Sequence, residues 1–201
     1  MNFLFRYLFR NIPPQPETKH LVRMVCGSAY QVFLHEDFRT LVQFEKQSQT
    51  EQDRMFNEFV VTALILLLFT VDDTLVRLQN KRFHFWKEVR VLAPGEFTAW
   101  LSSIGVAGQY VDIWRKLIDL RLAEYTDERK LARKAWDEHF AHHPDKAVLT
   151  DAAALIETLT VGSLLHIMRG QAKTDPTDPL RRHLRTWLTM LHHRLVKRVG
   201  W

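Results

Sequence analysis

Glu58 is the residue of this chain that most clearly asks a chemical question, because it stands between Met55-Phe56 and Phe59-Val60. A carboxylate among such neighbours is costly unless something pairs with it. Held in a pocket, it would have a raised pKa and serve as an acid or base. The commoner arrangement is an ion pair with an arginine from another helix, or a turn toward solvent near the helix start.

The ten histidines raise a metal hypothesis, and its best seat is Asp137-Glu138-His139-Phe140-Ala141-His142-His143. In a helix His139 and His143 share a face, a spacing that presents two ligands to one ion. One helix supplies no more than those two, and imidazoles at a helix C-terminus before Pro144 also suit the carbonyl end of the dipole. A di-iron bundle needs carboxylates from four helices and two Glu-x-x-His pairs. The chain offers one such spacing, Glu17-Thr18-Lys19-His20. Glu58 and Asp72 fall on one stripe but lie about 21 Å apart along a helix, too far to share an ion. The expectation is therefore no metal and no cofactor.

Other catalytic signatures are missing. The sequence has no GxxxxGK[ST], GxGxxG, GxSxG or HExxH, which removes support for phosphate-cradling loops and the commoner hydrolase motifs. The single cysteine, Cys26, excludes an intramolecular disulfide and a CxxC metal clip, and nothing points to an oxidising compartment. Set in Val25-Cys26-Gly27-Ser28 with no base beside it in sequence, it reads as a small core residue rather than a nucleophile.

Charge is more informative. The formal net charge is +5, yet residues 1–16 hold Arg6 and Arg10 with no acid, and residues 179–201 hold Arg181, Arg182, Arg185, Arg194, Lys197 and Arg198 with no acid. The ends carry +8 and the body −3. Such a split suggests an anionic partner: a membrane surface, an acidic protein or, through arginines with Trp187 and Trp201, nucleic acid.

The elements that must position these residues are helical. Phe59 to Val71 is apolar on every side and too short, at about 20 Å, for the ~30 Å hydrocarbon core, so it reads as a buried core helix running from about Glu51 to Gln79. Ser48-Gln49-Thr50-Glu51 is a capping-box start for it. Around it the sequence predicts helices over Glu17–Gln47, broken or exposed at His35-Glu36-Asp37; Phe97–Ile104; Gln109–His142; Thr150-Asp151 to Gly170; and Asp178-Pro179 to about Val199. Pro13-Pro14-Gln15-Pro16 predicts an extended connector, Ala93-Pro94-Gly95 a turn, and Asn80–Val91 either a strand or a helical turn. The Gln109–His142 helix places Asp112 with Lys116 and Glu124 with Glu128 one turn apart. Met1–Ile12 forms an amphipathic segment with Leu4, Phe5, Leu8, Phe9 and Ile12 on one face and Arg6 and Arg10 on the other. It suits packing on the bundle, an interfacial site or an organellar presequence.

The reading is an all-α, single-domain bundle of five to seven helices around a central apolar helix, with residues 1–12 as a basic amphipathic segment and 17–201 as the bundle. The expected function is non-enzymatic surface interaction in the cytoplasm or at a membrane face. Phe5, Arg6, Phe9, Arg10, Arg181, Arg182, Arg185, Arg194, Lys197 and Arg198 would meet an anionic membrane or a protein partner. A metal-dependent or small-ligand helical enzyme using Glu58, His139 and His143 is the alternative, and non-specific nucleic-acid binding through the last helix a second one. Exposed leucine stripes would equally serve a homo-oligomer.

Overall fold

A computed structural model describes residues 13–78, 82–140, 150–170 and 175–199, with the side chains of residues 139 and 140 excepted. Phe5, Arg6, Phe9, Arg10, His143 and the His139 side chain lie outside this description. Among the described residues the chain is all α: α1 Pro14–Leu34, α2 Glu36–Leu41, a 3-10 turn Phe44–Lys46, α3 Gln49–Arg77, α4 Arg82–Ser103, α5 Gly108–Phe140, α6 Asp151–Ile167 and α7 Pro179–Val199.

The centre is α3. Ser48 opens it by accepting the Glu51 N–H at 3.4 Å, half of the capping box. The Glu51 carboxylate does not reach back; it holds Arg54 and Arg169 instead. From Glu58 to Val71 every residue of α3 is buried, and α1, α4, α5, α6 and α7 all pack against it. A helix apolar on all sides is stable only where apolar surroundings cover it, and here the neighbouring helices do so. Of its most apolar 18-residue stretch, 78% is buried inside the bundle. Each fully buried leucine there contributes about 1.5–3 kcal/mol through burial. Polarity resumes at Asp72, which pairs with Arg90 of α4 at 2.8 Å, and Asp73, which pairs with Arg129 of α5 at 2.9 Å.

Two proline-based expectations are overturned. The Pro13-Pro14-Gln15-Pro16 run is not an extended connector: α1 begins at Pro14, with Pro13 as its extended N-cap residue. Prolines fit the first helical turn because their missing N–H groups have no partner there. Nor is Ala93-Pro94-Gly95 a turn; Pro94 sits inside α4. The helix gives up the N–H that would reach the Arg90 carbonyl, while Val89, Ala93, Phe97 and Leu101 are buried on the same face. Burial of that face outweighs one missing bond. Asn80–Val91, open between strand and turn, is helical from Arg82 onward.

The Glu17–Gln47 region divides at His35, whose imidazole accepts the Asp37 N–H and starts α2. Thr150 caps α6 through the Ala153 N–H at 3.1 Å, and Asp178 caps α7 through the Arg181 N–H at 3.0 Å with Pro179 as its first residue. Gly170, at φ +76°, follows the end of α6, the left-handed position at which glycine carries no Cβ penalty.

Candidate functional site

Two places in this bundle gather polar side chains around apolar walls. The first is enclosed, where α3, α5 and α6 meet. Glu58, 4% exposed, accepts two bonds from Arg121 of α5: Nη2 to Oε1 at 2.7 Å and Nε to Oε2 at 3.0 Å. The remaining Arg121 nitrogen donates to Glu124 at 3.0 Å. Glu124 also stands 3.0 Å from His166 Nε2 of α6, off the line of a good hydrogen bond. Burial, then the Arg121 charge, lowers the His166 pKa. Burial and the neighbouring Glu124 raise that of Glu128.

Tyr125, fully buried, stands at the heart of this cluster, its hydroxyl beside that of Thr62. Neither hydroxyl finds a well-aligned partner. Burial pushes the Tyr125 phenol up, well beyond its ordinary range. Gly162 of α6 lets the ring in, since a Cβ at that position would overlap Tyr125 Cε1. The end of α6 is closed from α3: Arg54 donates to the backbone carbonyls of His166 and Ile167.

Around Arg121 this cluster is a paired ion network. Its arginine spends three nitrogens on two carboxylates, and no described group of three or more His, Cys, Asp or Glu side chains has the geometry to hold a metal ion. Cys26 is buried and its thiol pKa is pushed up to about 12 by burial, which keeps it protonated and a poor nucleophile.

The second place is open to solvent. A cavity of about 800 Å³ runs between the C-terminal half of α1, α2 and α7. Trp187, 3% exposed, is at its floor and donates its indole N–H to Ser28 Oγ at 2.9 Å. Val32, Leu41, Met190 and Leu191 supply apolar surface, and Met190 is 52% exposed. One end carries His35 and His183 with rings 5.6 Å apart, beside Glu36 and Asp37. Burial first, then the neighbouring His35, lowers the His183 pKa. Its Nε2 is buried without a hydrogen-bond partner.

The basic residues of the last helix divide into two groups. Arg181 is drawn inward onto Glu157, Arg185 stands 3.8 Å from the same carboxylate, and Arg198 clasps Glu17 of α1 at 2.7 and 2.8 Å. Arg182, Arg194 and Lys197 are exposed and make no ion pair among the described residues. Arg182 and Arg194 border the cavity. The sequence reading treated the six as equals because their counter-ions lie as far as 181 residues away. It also missed Arg121, Tyr125, His166 and Gly162, which no local pattern sets apart, and it passed over His183.

No protein-family model matches the chain, and neither a curated protein nor a solved structure matches it.

Proposed function

We propose that this protein is a non-enzymatic interaction module whose working surface is the outer face of α7, and that it takes an acidic protein surface. The observation that carries this reading is the exposed state of Arg182, Arg194 and Lys197 along α7, where they make no ion pair among the described residues while Arg181, Arg185 and Arg198 of the same helix face Glu157 and Glu17. Exposed cations without intramolecular partners keep their field available for steering and for pairing across an interface. An acidic protein is favoured over a lipid bilayer because the exposed apolar side chains at this face, Met190 of α7 and Leu41 of the adjoining α2, border a concavity. Membrane binding favours an apolar face that inserts into the headgroup boundary.

The test is retention of the protein on immobilised poly-L-glutamate and, separately, flotation with anionic and neutral vesicles, each across a salt series. Retention that falls with salt and is lost in Arg182→Glu/Arg194→Glu/Lys197→Glu, with thermal unfolding unchanged, supports the reading. Retention unaffected by the triple reversal overturns it. Flotation with anionic vesicles that the reversal abolishes would replace the acidic protein by a membrane.

A further inference from the structure

The cavity between α1, α2 and α7 has a length, a floor and a charge arrangement that together describe an occupant. We infer that it is the docking groove for a short amphipathic helix of an acidic protein partner, an inference that rests on the function proposed above and adds the form of the ligand. Arg182 and Arg194 border the groove twelve positions apart on one helix, about 18 Å along its axis, which equals some three turns of a helix lying alongside. Between them Thr186 and Met190 face the same side, with Trp187 beneath. A volume of about 800 Å³ accommodates a row of leucine-sized side chains, not a whole helix. The partner helix would therefore lie over the opening and send one apolar stripe inward, as helix-in-groove recognition does.

Charge selects the polar side of that partner. Arg194, with Lys197 one turn beyond, makes no ion pair among the described residues, whereas the His35 end carries Glu36 and Asp37. Carboxylates on the partner pair favourably at the Arg194 end and are repelled at the Glu36 end. A basic helix would meet Glu36 and Asp37 at the His35 end but would place like charge against Arg194, with Lys197 beyond it, and is disfavoured there.

The experiment uses three fluorescein-labelled synthetic helices of about fourteen residues that share one leucine stripe and carry Glu, Gln or Lys at the polar positions. Binding to the full-length protein is read by anisotropy. The Glu helix is expected to bind at least about tenfold more tightly than the Gln helix, with the Lys helix the poorest. Thr186→Trp fills the groove from an exposed position and is expected to cost the Glu helix at least about tenfold, while retention on poly-L-glutamate persists. Met190→Asp is the second variant, should Thr186→Trp alter folding as judged by its melting curve. Equal binding of the three helices, no binding of the Glu helix, or full binding to both groove variants overturns the inference. If the groove variants still bind while Arg182→Glu/Arg194→Glu/Lys197→Glu does not, the groove fails and the charged face stands. If the triple reversal also leaves poly-L-glutamate retention unchanged, the proposed function falls as well.

Discussion

Arg121 holds Glu58 in a two-point grip, with Nη2–Oε1 at 2.7 Å and Nε–Oε2 at 3.0 Å, across 63 residues of sequence. Both side chains are largely shielded, at 14% and 6% exposure. A pair of this kind is a poor source of net stability and a severe constraint on its members, because either one left alone is a buried charge without a partner.

Arg121→Leu is accordingly expected to destabilise the fold by about 3–5 kcal/mol, whereas Glu58→Leu combined with Arg121→Leu should recover most of that loss. Urea unfolding of the two single variants and the double variant measures this. Additive losses in the double variant would show that the pair contributes as two independent packing elements.

Gly162 and Tyr125 make a second coupled pair. A methyl group at Gly162 would occupy the space of the Tyr125 ring edge, and overpacking of this kind costs about 1–3 kcal/mol. Gly162→Ala should lower the melting temperature, and in the Tyr125→Leu background the same change should cost less. Equal costs in both backgrounds would mean that the ring is not what Gly162 accommodates.

Stability should also fall on mild acidification. His166, His183 and His192 all have pKa values lowered from 6.5, each by burial above all. The unfolded chain takes up these protons near its unperturbed value while the folded chain still refuses them. The unfolded state then binds more protons, so stability rises with pH in that window. Full stability is present above pH 6.5 and declines below it, down to the lowered folded-state values. Glu128, whose pKa burial raises from 4.5, opposes the decline at its lower end. Melting temperatures from about pH 7.5 to pH 5.5 test this, and His192→Gln should flatten the slope. A flat profile in the unchanged protein would refute it.

The helical class and the central element were readable because the core of α3 is apolar on every side yet shorter than a membrane span, which leaves burial among other elements. Its expected span, about 51–79, lies within two residues of Gln49–Arg77. Capped starts were equally readable: Thr150 and Asp178 act within three residues of themselves. Proline misled twice, since its effect depends on whether it falls in a first turn, as Pro14 and Pro16 do, or on a helix whose buried face outweighs one bond, as with Pro94. The Asp112–Lys116 spacing also proved a poor guide, because Asp112 bonds Arg115 at 2.9 Å instead.

Long-range charge partners were hidden for a different reason. That Glu58 needs a partner follows from its neighbours; that the partner is Arg121 depends on how α5 crosses α3, which no local spacing encodes. The same holds for the last helix. Arg198 and Arg194 look alike in sequence, and only the arrival of Glu17 from the start of α1 neutralises one and leaves the other available.

Arg54 gives the bundle one further property. Local N–H groups of Met168, Gly170 and Arg169 bond the Leu164, Leu165 and His166 carbonyls at the end of α6, and a side chain more than a hundred residues earlier, on a different helix, adds donors to His166 and Ile167. A helix end closed in this way gains its full set of donors only when the long-range contact is made. Docking onto α3 therefore tightens this end, so amide protons at the end of α6 and around Arg54 in α3 should exchange with solvent as one cooperative unit.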